Sequence, residues 1–158
     1  MKYCVKNYYG VEWNKNGRSK GVIPEFEKYD KDESILFIDS LENANFIKSL
    51  LEREQLFEEM HQLINVHPTK IYDSFTDYGF ISEAGHHYLI SNMVISFKLW
   101  SNDSNQLKMC MLQAEEHLIA ENQSILFADR NDQELVQKIA LSYHVSVDFD
   151  LDKQNENV

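Results

Sequence analysis

The chain has 158 residues, 43% of them hydrophobic, and carries a net charge of −11 at pH 7. This length and apolar content exclude a disordered chain and predict a single compact domain over residues 1–158, with a polar tail from about residue 152. No segment approaches the roughly 18 apolar residues of a membrane span, and no leader segment is visible, so we expect a cytoplasmic protein without membrane contact.

The charge is unevenly distributed along the chain. Residues 1–22 contain five Lys/Arg and one Glu, whereas the remaining residues contain ten Lys/Arg and 25 Asp/Glu. Charge far from zero influences solubility, steering and the choice of partner more than it influences fold. The acidity therefore predicts a positively charged partner.

The first predicted elements are β-strands. Residues Tyr3–Trp13 are rich in Tyr, Val and Trp, and the following Asn16-Gly17 pair is a strong hairpin-turn signal. The apolar run Ile35–Asp39 is typical of a short buried strand. The sequence thus predicts a hairpin followed by a central strand.

A long helix is predicted next, capped by Ser40 and running from Leu41 to about Ile64. Helical periodicity places one apolar stripe toward the core, formed by Phe46, Ile47, Leu50, Phe57 and Ile64. Leu56 and Leu63 fall on another face of this helix. Two interpretations stay open for them: a neighbouring element covers them, or they contact a partner or a second copy in a homodimer.

The second half of the chain alternates strands and helices. Residues Met93–Trp100 alternate with a period of two, and Glu83-Ala84-Gly85 is a predicted hairpin turn. The later predictions are a helix from about Ser101 to Asn122, a strand over Ile125–Ala128, a helix from Asp132 to about Tyr143 and a strand over Val145–Leu151. The predicted fold is α+β, a mixed and largely antiparallel sheet with about three helices packed on it; the alternative is α/β.

Motifs for catalysis, nucleotide binding and zinc binding are missing from the sequence. His86 and His87 follow Glu83, but two consecutive strand residues point to opposite faces and cannot share one ion. We therefore expect no metal, no cofactor and no catalytic residue. An alternative is a small enzyme or ligand-binding domain with a pocket near Glu83, His86 and His87.

The C-terminal strand is predicted to carry a ladder of carboxylates. Asp148, Asp150 and Asp152 alternate with apolar residues, so their side chains would recur on one side about every 6.6 Å. Such a line of negative charge fits a basic partner, although charged edge strands also serve only to prevent aggregation.

Two further acidic surfaces are predicted, one on the first helix and one in the loop before the central strand. Both are compatible with a solvated surface without a partner. Their residues are Glu52, Glu58 and Glu59 on the helix and Asp30, Asp32 and Glu33 in the loop.

The functional expectation is a non-enzymatic binding protein whose acidic surface occupies a basic groove on a nucleic-acid-handling protein, because such grooves are lined with Lys and Arg. In size, acidity and lack of catalytic motifs the chain resembles small inhibitors encoded by phages and mobile elements, including anti-CRISPR and anti-restriction proteins. An immunity-type inhibitor of a toxin is the alternative. Lys15, Arg18 and Lys20 could contact phosphates, but direct nucleic-acid binding is not expected, since it usually requires a basic domain with a continuous footprint and this chain has a pI of about 4.9.

Overall fold

The computed structural model describes residues 6–14 and 26–149. Predictions for the hairpin tip near Asn16 and for Leu151 lie outside this range. The described strands are β1 (Lys6–Trp13), β2 (Asp30–Asp32), β3 (Ile35–Ile38), β4 (Phe57–Val66), β5 (Lys70–Ile71), β6 (Gly79–Ile81), β7 (His87–Ile90), β8 (Val94–Trp100), β9 (Leu118–Asn122), β10 (Ile125–Asp129) and β11 (Ser146–Phe149). The described α-helices are α1 (Leu41–Arg53), α2 (Phe75–Tyr78), α3 (Ser104–Ala114) and α4 (Gln133–Ser142).

The α+β class predicted from the sequence is confirmed. All strand pairs that we describe are antiparallel, and they form two sheets rather than one. The sheets belong to two units of the chain. The N-terminal unit comprises Lys6–Val66 and Gly79–Ile90, and the C-terminal unit comprises His67–Tyr78 and the described residues from Ser91 onward. The single domain over residues 1–158 stays a prediction.

The sheet of the N-terminal unit is strongly curled. Its strand order is β2-β3-β1-β4-β7-β6. Glu83, which follows β6, donates its backbone N–H to the carbonyl of Lys31 in β2 over 2.9 Å, so the two edges of the sheet meet. The rings of Phe37 in β3 and Phe80 in β6 lie 6.0 Å apart across the interior. The curl satisfies backbone groups that an open edge would leave exposed.

The two faces of this sheet have separate cores. Helix α1 covers the outer face, and the buried side chains there are Val11, Phe26, Leu36, Ile38, Ala44, Ile47, Leu51 and Leu56. The inner face is filled by Ile35, Phe37, Leu63 and Tyr88. The rings of Phe37 and Tyr88 stack at 4.1 Å with 2° between their planes.

Two glycines allow close packing in this unit. A Cβ on Gly10 of β1 would lie 2.8 Å from Leu63 Cδ1 and 2.9 Å from Ile35 Cδ1. A Cβ on Gly79 of β6 would collide with the backbone carbonyl of Tyr88. Side chains can move more easily than backbone, so the two positions differ in how much strain a methyl group would cause.

The predicted first helix, Leu41 to about Ile64, is nearly twice as long as the observed Leu41–Arg53. Ser40 caps it as expected, its hydroxyl accepting from the Asn43 N–H. The helix nevertheless ends at Arg53, because Gln55 adopts a left-handed conformation (φ 59°) and the Leu56 N–H bonds the Leu51 carbonyl at 2.8 Å. Residues Phe57–Val66 then form β4, the strand between β1 and β7.

Because the helix ends at Arg53, several side chains lie in other surroundings than the sequence predicts. Leu56 and Leu63 are 5% and 1% exposed, so both belong to the core and the proposed ridge for a partner or second copy is wrong. Phe46, predicted to face the core, is 53% exposed. Glu58 and Glu59 lie on β4 and do not share a helix face with Glu52.

The C-terminal unit has a five-stranded sheet in the order β11-β8-β10-β9-β5. Asp103 caps α3 by accepting from the Asn105 and Gln106 N–H groups. Helices α3 and α4 share a core with one face of β8, as the alternation of that strand predicts. The buried residues of this core are Ile95, Phe97, Leu99, Cys110, Ala114, Leu118, Leu126, Ala128, Val136, Ile139, Ala140 and Val145.

Candidate functional site

A groove with an apolar floor and an acidic rim lies in the N-terminal unit. It has a volume of about 300 Å³, and we call it the acidic groove. Its lining residues are Trp13, Phe26, Glu27, Lys31, Glu33, Leu36 and Glu83. The rings of Trp13 and Phe26 lie 5.1 Å apart, and Phe26 and Leu36 are buried. Three exposed carboxylates and the side chain of Lys31 therefore border an aromatic and aliphatic floor.

The approach of β2 to the β6–β7 turn concentrates this negative charge. The backbone bond from Glu83 to Lys31 brings the turn beside the segment that contains Asp32 and Glu33. Burial raises the pKa of Asp32, and the neighbouring charges of Glu33 and Glu83 raise it further. A carboxylate whose pKa rises beside other carboxylates marks a surface that favours a cation.

Asp30 has a different environment although it lies two residues from Asp32. Its carboxylate accepts from the Tyr88 hydroxyl at 2.8 Å and lies 3.0 Å from His86 Nδ1. Burial alone would raise the pKa of Asp30, but hydrogen bonds from Ser82, Tyr88 and His86 outweigh it and hold the pKa below its ordinary value. Asp30 thus joins β2 to β7 inside the unit, and its role in partner binding stays a prediction.

The predicted pocket near Glu83, His86 and His87 is not assembled as one group. Glu83 lines the acidic groove, whereas the His86 ring contacts Asp30. His87 is half-buried in β7, and burial lowers its pKa. These three side chains therefore have three different surroundings.

A second cluster combines Glu12 of β1 with Glu59 and His61 of β4. Glu12 is paired directly opposite Glu59, and His61, two residues farther along β4, lies on the same face. His61 Nε2 is 3.2 Å from Glu12 Oε1 and 3.8 Å from Glu59 Oε2. This nitrogen is buried and makes no hydrogen bond to any residue that the structure describes, because the geometry of the shorter contact is not that of a hydrogen bond.

The remaining predicted acidic residues are dispersed. Glu52 of α1 is exposed and lies 3.7 Å from Lys48 Nζ, and Glu58 is exposed on β4. Asp148 is exposed on β11, an edge strand, where it is paired opposite Lys98. Asp150 and Asp152 lie outside the described residues.

Several side chains of these sites could not be linked from the sequence alone. Trp13 and Phe26 were not linked to Glu33, because the groove depends on pairings between distant segments. Glu12 was not linked to His61, because the predicted helix hid the β1–β4 pairing. A strand interpretation of Phe57–Val66 would have placed Glu59 and His61 on one face.

Comparison of the chain with protein-family models, curated proteins and solved structures finds no significant match. Among the described residues, no helix combines the length and the apolar character needed to cross a membrane. The function of the chain is therefore inferred from its charge and from the geometry of these side chains.

Proposed function

We propose that the chain is a non-enzymatic acidic binding protein that occupies a basic groove on a protein that handles nucleic acid. Inhibitors of the anti-CRISPR or anti-restriction type, encoded by phages and mobile elements, act in this way. The observation that carries the proposal is the acidic groove, where three carboxylates against one lysine border an aromatic floor in a chain with a net charge of −11.

The chemistry of the groove fits an arginine or lysine side chain. A guanidinium group stacks on an aromatic face and donates charge-assisted hydrogen bonds to carboxylates at the same time. Trp13 provides the aromatic surface, and Glu33 and Glu83 provide the carboxylates. Proteins that bind nucleic acid expose Lys and Arg to neutralise phosphates, so they present the side chains that this groove accepts.

The rest of the acidic surface contributes by steering. Negative charge spread over a surface accelerates the encounter with a basic partner, and its effect falls as salt screens it over a Debye length of about 8 Å at physiological ionic strength. In this proposal the carboxylates of Asp148, Asp150 and Asp152 act mainly on the association rate. Their replacement by Asn should slow association and leave the dissociation rate nearly unchanged.

A fluorescently labelled nonaarginine peptide is a direct probe of the groove. We expect the double variant Glu33→Gln/Glu83→Gln to bind this peptide at least about tenfold more weakly in fluorescence anisotropy, since charge-assisted hydrogen bonds contribute about 1.5–3 kcal/mol each. The matched control is Glu116→Gln/Glu134→Gln, which removes the same charge from exposed positions of the C-terminal unit. Equal losses in the two variants would mean that charge alone, and not the groove, attracts the peptide.

Identification of the partner tests the second half of the proposal. Immobilised chain should retain a basic protein from nuclease-treated lysate, and the purified partner should lose its nucleic acid when the chain is added. The groove variant should fail to displace the nucleic acid, whereas the control variant should succeed. A secreted toxin as partner would support the immunity-type alternative, and a partner without basic surface would contradict the proposal.

A further inference from the structure

The cluster of Glu12, Glu59 and His61 has two energetically unfavourable features. The first is the direct cross-strand pairing of Glu12 with Glu59, because like charges opposite each other on one face destabilise a sheet. The second is the buried His61 Nε2, which makes no hydrogen bond within the described part of the chain. A buried nitrogen without a partner costs free energy, since water no longer satisfies it.

One cation would remove both costs. The candidate ligand atoms of the three residues all lie within 4.8 Å of one another. Ligands on a tetrahedral ion at about 2.1 Å stand roughly 3.4 Å apart, so small side-chain rotations would close the cluster around an ion.

The donor set indicates the class of ion. One imidazole nitrogen and two carboxylate oxygens suit first-row divalent ions such as Zn²⁺, whereas Mg²⁺ and Ca²⁺ prefer sites made of oxygen alone. The side chain of His61 is 16% exposed and that of Glu59 is 65% exposed, so water reaches the cluster at Glu59. Water can then fill the positions that the protein leaves free.

We propose that Glu12, Glu59 and His61 form an open binding site for a first-row divalent cation, and that Zn²⁺ is the ion it fits best. This site differs from the metal motifs sought in the sequence, because its ligands come from two paired strands. It is also independent of the acidic groove, since Trp13 packs with the outer-face core while Glu12 faces His61.

Isothermal titration calorimetry on the full chain, after treatment with chelator and dialysis, tests this site with ZnCl₂ and with MgCl₂. We expect one Zn²⁺ per chain in the wild type and no saturable binding of Mg²⁺. The variants Glu12→Gln and His61→Gln should each weaken Zn²⁺ binding at least about tenfold, since even residues that only orient a ligand change metal affinity by 10–100-fold. Glu58→Gln is the matched control, because Glu58 neighbours Glu59 on β4 but is outside the cluster.

Circular dichroism of each variant shows whether it is folded. If His61→Gln unfolds, Glu12→Gln and Glu59→Gln provide the same comparison at more exposed positions. Visible absorption of the Co²⁺ form should show a tetrahedral or five-coordinate spectrum that Glu12→Gln abolishes. Zn²⁺ binding of equal strength in the wild type and in folded cluster variants, or no binding by the wild type, would overturn the proposal.

Discussion

The contact between Gly10 and Leu63 allows a sharp test of the packing inside the curled sheet. Leu63 is 1% exposed on the inner face, and a methyl group on Gly10 would lie 2.8 Å from its Cδ1 atom. The two residues therefore compete for one volume. We consider Gly10→Ala, Leu63→Ala and the double variant.

The expected changes in the free energy of unfolding follow from this geometry. Leu63→Ala should cost about 2–5 kcal/mol, because it removes buried methyl groups and leaves a cavity. Gly10→Ala overpacks the same place, which costs about 1–3 kcal/mol, and a gain of about 0.5–1 kcal/mol from replacing glycine in a strand offsets part of that. In the double variant the new methyl group enters the space left by the leucine, and of the two close contacts only that with Ile35 Cδ1 at 2.9 Å remains. The double variant should therefore be less destabilised than the sum of the single variants by at least about 1 kcal/mol.

Urea unfolding followed by far-UV circular dichroism measures these values, provided that the m-value stays constant among the variants. Leu141→Ala is the matched control, since Leu141 is 73% exposed on α4 and its truncation should change stability by less than about 0.5 kcal/mol. Additive losses, within about 0.5 kcal/mol, would refute the claim that Gly10 and Leu63 share one space.

Three further predictions concern single positions. Asp30→Asn should lower the free energy of unfolding at pH 7. The lowered pKa of Asp30 stabilises the fold above pH 3.8, and this stability is lost as the pH falls through the pKa of the folded state. In an acid unfolding series the stability of the variant should therefore depend less on pH than that of the wild type. Gly79→Ala should reduce the yield of soluble protein and the melting temperature more than Gly10→Ala does, because its methyl group meets the Tyr88 backbone. Cys110 should react with a thiol reagent far more slowly before unfolding than after it in a timed absorbance assay, since burial covers the thiol and raises its pKa.

Local chemistry made several elements predictable from the sequence. Ser40 caps α1, and Gly85 has the positive φ of 86° that the hairpin turn between β6 and β7 requires. The alternation in β8 identified its core face before the partners of that strand were known. Each of these signals lies within a few residues of the structure that it specifies.

In the segment after Arg53, local sequence signals do not distinguish a helix from a strand. Apolar residues at Leu56, Phe57, Met60, Leu63 and Ile64 fit helical spacing, and they fit a strand with a bulge equally well. The bulge is present where the β1–β4 register shifts between Glu12 and Trp13. Gln55 ends the helix in a left-handed conformation that sequence reasoning assigns to Gly or Asn.

The candidate sites were less predictable because they depend on register. The composition predicts that negative charge matters for function. Glu33 is a candidate for partner binding in the sequence, and Glu83 is a candidate for an alternative pocket. Their meeting in one groove requires the contact between β2 and the β6–β7 turn. Likewise, Glu12 meets Glu59 only through the pairing of β1 with β4, which no local pattern specifies.

The order in which the chain builds its two units limits how the protein can be divided. The chain leaves the N-terminal unit after Val66, supplies His67–Tyr78 to the other unit, and returns for β6 and β7 before leaving again at Ile90. No single cut in the sequence yields either unit as a continuous fragment. During synthesis, the inner face of the N-terminal unit is incomplete until Tyr88 has been added. By then residues His67–Tyr78 of the C-terminal unit have already been made. Truncated chains that end between Val66 and Tyr88 should therefore expose the incomplete inner face of the curled sheet and aggregate.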